Sequence, residues 1–201
     1  MVERRHARPG CPGAFTLVEL LVVVGVLALL VGLLFPALNS IRRSQKVERT
    51  EAAIETISSA LEAYRNDYGL YPPCEMVEGL NRGNRSMVVC LNARGPSWPY
   101  LPSGYLDSAG DIRDEVGEPA APLLRDEWER PFVYFDTSAM REATAHDYEG
   151  NPGVRPVRGP TGYYNFGRFQ LWSFGPNGRN DGGRGLHTEG ADDIANFVVE
   201  D

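Results

Sequence analysis

FTLVELLVVVGVLALLVGLLFPAL, residues 15–38, decides how this chain is read. Within it only Thr16 and Glu19 are clearly polar. The hydrocarbon core of a bilayer takes roughly 20 apolar residues of helix to cross. The run therefore predicts a membrane-spanning helix, with its single ionisable group, Glu19, near the front edge. A carboxylate within a bilayer costs about 2.5–3.5 kcal/mol on insertion scales, so Glu19 asks for a partner. Gly25 and Gly32 thin the helix and permit close helix–helix packing, and Pro36 removes a backbone donor and permits a kink.

Working outward, residues 1–14, MVERRHARPGCPGA, are basic and poor in apolar side chains, and they read as a leader. A secretory signal would be cut after a shorter apolar run, at a small-x-small site. The FPALNSIRRSQ that follows offers none, and Cys11 precedes the run where a lipoprotein signal would place its cysteine after it. Beyond the run, Val47, Ile54, Ile57, Leu61, Tyr64 and Tyr68 follow helical spacing, with Arg49, Glu51, Glu55, Glu62 and Arg65 opposite. This predicts an amphipathic helix over residues 39–68, continuous with the apolar run and ended by Gly69 and Pro72-Pro73. Residues 69–201 then form a loop-rich globular domain, with 22 Gly and 15 Pro in the whole chain.

The formal net charge is −7. Five of the 20 Lys and Arg, but only two of the 27 Asp and Glu, lie at or before Arg43, so the C-terminal part is strongly acidic. Such a surface repels nucleic acid and suits a solvent-exposed or cation-binding domain. Charge on the two flanks of the apolar run leaves its orientation open: Arg4, Arg5 and Arg8 precede it, and Arg42, Arg43, Lys46 and Arg49 follow. Of three cysteines, Cys11 lies in the leader. Cys74 and Cys90 read either as a disulfide worth about 3 kcal/mol in the loop-entropy account or as two unrelated thiols. His6, His146 and His187 are scattered, and no nucleophile, base and orienting group come together, so the sequence carries no catalytic set.

The residues GAFTLVELL resemble the processing site of type IV prepilins, in which a membrane-embedded prepilin peptidase cuts before a phenylalanine and methylates the new N-terminus. The resemblance implies cleavage between Ala14 and Phe15, although Ala14 stands where the family usually has Gly. It further implies that Glu19, fifth in the processed chain, neutralises the Phe15 amine of the next subunit and sets register in a growing fibre. The plainer role for Glu19 is to snorkel to the interface, about 6 Å from the helix start. ALEAYRNDYGLYP is similar to the end of the long helix in pseudopilins. LLRDEWERPFVYF, residues 123–135, resembles the D-P-W-G-x-P-Y-x-Y segment of the major pseudopilin of type II secretion, with a turn followed by a strand. Glu127 and Glu129 replace its Pro and Gly, which predicts an altered turn.

A second strand is expected at Tyr163–Phe166 or at Phe169–Ser173. The ending FGPNGRNDGGRGLHTEGADDIANF resembles the loop that wraps a calcium ion in the same subunit. The resemblance implies ligands from Asn177, Asp181, Asp192 and Asp193 and from the carbonyls of Leu171 and Ser173, with Asn177 in place of an aspartate. Ca²⁺ takes six to eight hard oxygens, a need these residues meet in kind. Residues 74–122 and 136–162 match nothing comparable, and residues 74–125 read as irregular, with one short helix near Asp111–Val116.

Taken together, the expected fold is α+β: a long N-terminal helix, membrane-spanning in its first half, packed on a small antiparallel sheet with a Gly-rich C-terminal loop. The expected function is structural, in a pseudopilus of type II secretion. The partners implied are other copies of the chain, the prepilin peptidase, minor pseudopilins, an inner-membrane assembly platform and the membrane itself. The resemblance places the chain as a single-pass protein of the bacterial inner membrane with a periplasmic domain. Two other readings stand beside it: a type IV pilin for adhesion, motility or DNA uptake, and a membrane-anchored binding domain that never assembles.

Overall fold

The computed structural model describes residues 16–74, 76–77, 80–103, 105, 123–142, 146–148, 151–185 and 191–199. The leader, the processing site Ala14–Phe15 and the helix expected near Asp111–Val116 lie outside them. The chain divides into two compact units, Met1–Arg42 and Arg43–Asp201.

Helix α1 runs Leu17–Tyr68, 52 residues, so the apolar run and the amphipathic stretch do form one helix. Thr16 and Glu19 start it as a reciprocal capping box. Thr16 N–H and Oγ1 donate to Glu19 Oε2 at 2.9 and 2.7 Å, and Glu19 N–H donates to Thr16 Oγ1 at 3.2 Å. In the first unit, every large apolar side chain placed from Leu17 to Val31 is exposed, between 48% and 77%. Among the described residues no helix is long and apolar enough to cross a membrane.

In the second unit α1 lays Ile54, Ile57, Ala60, Leu61 and Tyr64 into a core with Tyr134, Phe169, Leu171 and Ile194. Tyr68, placed on the same stripe by its spacing, is instead 43% exposed and stacks on Tyr64 with ring centroids 4.5 Å apart. The helix ends at Gly69, whose φ of +77° suits only glycine without strain.

The central sheet has the order β3 (Val133–Asp136), β8 (Phe169–Ser173), β9 (Ile194–Ala195), all antiparallel. Its residues alternate between two cores, as a period of two requires. Tyr134, Phe169 and Leu171 face α1, whereas Val133, Phe135 and Trp172 face Met140, Tyr148, Val154 and Phe197. Sequence and structure agree on β3, and of the two stretches offered for the second strand the FQLWS one is β8. A separate sheet joins β1 (Met76–Val77), β2 (Leu80–Asn81), β4 (His146–Tyr148) and β5 (Asn151–Val154), with β2 and β4 parallel. A hairpin pairs β6 (Arg158–Gly159) with β7 (Gly162–Tyr163). The mixed helix and small sheets make the fold α+β.

Two helices fall where an irregular region or nothing was expected. Helix α2 (Gly83–Asn92) buries Met87, Val88 and Leu91, and α3 (Thr137–Glu142) is capped by Asp136, whose Oδ2 accepts from Ser138 N–H at 3.0 Å. The bridge considered between Cys74 and Cys90 is not formed. Cys74 Sγ instead sits against the β3 backbone, 3.3 Å from both Tyr134 O and Asp136 N.

Candidate functional site

The C-terminal loop begins where β8 ends. Ser173 is wholly buried; its Oγ donates to Asp126 Oδ2 at 2.6 Å and accepts from Gly175 N–H at 3.0 Å. Gly175, at φ +58°, passes so close to the Asp192 carbonyl that a Cβ would collide with it. This close approach brings the two ends of the loop together.

Four side chains singled out from the sequence meet there. Asp192, 5% exposed, accepts the Asn177 N–H on both oxygens, at 3.2 and 3.0 Å. Asn177 Nδ2 donates to Asp181 Oδ2 at 2.8 Å, and Asp192 N–H donates to that same oxygen at 3.3 Å. Asp193, 2% exposed, accepts on Oδ2 from Asp181 N–H at 3.0 Å and from Gly183 N–H at 2.7 Å. Its Oδ1 is buried with no hydrogen-bond partner among the described residues. Burial pushes the Asp193 carboxyl up to about 7; two backbone N–H donors oppose the shift, and Asp181 and Asp192 add to it.

The two expected carbonyl donors sit apart from this network. Leu171 O accepts from Asn196 N–H at 3.0 Å, and Leu171 N–H donates to Asn196 Oδ1 at 2.9 Å, so β8 is already paired there. Ser173 is paired with Ile194 in the sheet.

Several participants were not singled out from the sequence. Arg43 of α1 reaches Asp192 Oδ2 at 3.3 Å. One turn on, Lys46 Nζ donates to Glu127 O at 2.7 Å and lies 5.8 Å from the Trp128 ring; Arg49 pairs with Glu127 at 3.6 Å. Arg130 Nη1 donates to Gly175 O at 2.5 Å and lies flat over Gly178, where φ is +71°. Their signal in the sequence is a row of cations at steps of three, Arg43, Lys46 and Arg49, which by itself reads as flanking charge and, for Arg49, as the polar face of the helix.

The turn that holds Arg130 and Glu127 is organised by Asp126. Its Oδ1 accepts the N–H groups of Trp128 and Arg130, both at 2.9 Å, while its N–H donates to Arg130 O at 2.8 Å. Glu129 takes φ +63° in this turn. A glutamate thus holds a left-handed position in this turn, a conformation that glycine adopts without strain.

The donor set suits a hard cation in chemistry: three carboxylates and a carboxamide on one loop, one carboxylate oxygen buried and unpaired. Its arrangement is not yet a cage. Among the described residues no three His, Cys, Asp or Glu side chains are gathered closely enough to hold a metal ion. Comparison with known proteins finds no matching family profile, no matching curated relative and no matching solved structure.

Proposed function

We propose that this chain is the major structural subunit of a type II secretion pseudopilus, cut before Phe15 and assembled through its apolar N-terminal helix. The observation that carries the reading is a helical surface of exposed Leu and Val from Leu17 to Val31 that contains one acid, Glu19. A contiguous apolar surface of this size is a site for membrane or protein contact, not a solvent face. A lone carboxylate on it finds its natural counter-charge in the free amine of a neighbouring copy. In this reading the helix spans the inner membrane, the acidic domain is periplasmic, and the loop Asn177–Asp193 takes Ca²⁺. When bound, Ca²⁺ would neutralise the carboxylates of Asp181, Asp192 and Asp193 and tie the ends of the loop.

Glu19 also caps its own helix, and a test must separate the two roles. Glutamine at this position still completes a capping box but carries no charge. Glu19→Gln should therefore insert in the membrane, keep its helix and fail to form fibres, as Glu19→Ala should. Normal fibres from Glu19→Gln would reduce Glu19 to a cap and leave a lone membrane anchor as the better reading. Mass spectrometry of membrane-extracted protein should find an N-methylated Phe15 at the N-terminus.

A further inference from the structure

Resting on the calcium reading of the loop, we propose that Arg43 is a built-in competitor for that cation, occupying Asp192 Oδ2 until the ion displaces it. Three observations support this. First, Asp192 is shared: its side chain is 7% exposed and joins the loop network through Asn177, while its Oδ2 faces the Arg43 guanidinium. Second, the contact is built to release. It is one 3.3 Å contact from a side chain 60% exposed, a solvent-screened pair that an incoming ion can displace. Third, the loop's own cations leave one carboxylate oxygen unmet. Asp193 Oδ1 is buried with no hydrogen-bond partner among the described residues, Arg184 turns to the Asp181 carbonyl at 3.4 Å, and Arg130 is committed to the Gly175 carbonyl.

A carboxylate held by a guanidinium 3.3 Å away meets an incoming divalent ion at the cost of bringing two cations together. At an ion–guanidinium separation near 6 Å, that repulsion lowers affinity about tenfold even in a water-like dielectric. Linkage makes the effect reciprocal: whatever Arg43 takes from ion binding, the bound ion takes from the Arg43 contact. The α1 turn carrying Arg43 is then loosened from Asp192 by calcium, while Lys46 and Arg49 remain on the Glu127 turn, which holds no loop carboxylate.

The experiment is Ca²⁺ titration by calorimetry of the full-length chain in detergent, as wild type, Arg43→Gln, Arg43→Lys and Asp192→Asn. Arg43→Gln should bind Ca²⁺ about tenfold more tightly than wild type. Arg43→Lys keeps the charge and should stay within about threefold of wild type, and Asp192→Asn should lose binding. If wild type binds but Arg43→Gln binds equally or more weakly, the competition is refuted and the calcium site stands. If neither wild type nor Arg43→Gln takes up Ca²⁺ at millimolar concentration, the calcium site falls and the competition with it. Circular dichroism of the apo variants checks that each keeps its fold.

Discussion

Glu129 shows what a single residue can conceal. Its position in the turn demands a left-handed backbone, which costs a non-glycine residue about 1–2 kcal/mol. Replacing it with glycine removes the strain and returns part of the gain as chain entropy, so Glu129→Gly should stabilise the fold by about 0.5–1 kcal/mol. For a chain of this size that is a rise of about 2 °C in melting temperature. The letters give no sign of this conformation, which is set by Asp126 Oδ1 fixing the turn through the N–H groups of Trp128 and Arg130.

Asp193 gives a pH dependence with a definite sign. Its carboxyl sits at about 7 when folded against 3.8 ordinarily, so between those values the folded chain keeps a proton that the unfolded chain releases. Stability therefore falls as pH rises from about 4 to 7 and levels off above. The full shift corresponds to about 4 kcal/mol, and relaxation of the loop lowers this toward about 2 kcal/mol. Thermal melts in EDTA should show this slope in wild type, and Asp193→Asn should flatten it.

At the scale of elements, legibility followed periodicity. The long stripe of α1 and the alternation of PFVYF and FQLWS each repeat their period over several residues, and both were readable. Helix α2 was not. Its sequence GNRSMVVCLN starts from Arg82 with no side-chain cap, and its Val88-Val89 pair favours a strand by local preference. What makes it a helix is tertiary. Asn84, wholly buried, donates from Nδ2 to Leu124 O at 2.9 Å and Phe132 O at 2.8 Å and accepts from Leu124 N–H at 2.9 Å. One side chain thus fastens the first turn of α2 to the segment entering β3. Asn84→Ala strands the buried Leu124 N–H and takes one of two partners from each of the Leu124 and Phe132 carbonyls, and should cost about 2 kcal/mol, read by chemical denaturation. The loop's acids were picked out by resemblance alone, and Arg43 was illegible because its partner lies 149 residues away.

For the whole molecule the sum of the acidic loop matters more than any one bond. Asp181, Asp192 and Asp193 close the C-terminal loop beside β8 and β9, so an ion bound there ties down the last part of the chain to enter the fold. An ion that binds only the folded state adds about 2.7 kcal/mol at a concentration one hundred times its dissociation constant. Saturating Ca²⁺ should then raise the melting temperature of the full-length protein by about 5–10 °C, with EDTA reversing the rise. An unchanged melt would remove the loop from the account of assembly and leave Glu19 and the apolar helix to carry it.

Trp172 lies wholly buried between Phe135, stacked 5.7 Å away, and Phe197, edge-on at 6.1 Å, with its Nε1 unbonded. An indole sealed from water in this way emits at the blue edge of tryptophan fluorescence, whereas Trp98 is nearly half exposed and emits to the red. Phe197 belongs to the segment that follows the acidic loop. The protein thus carries its own optical gauge: a red shift of the blue component marks the moment its C-terminal end lifts from the sheet.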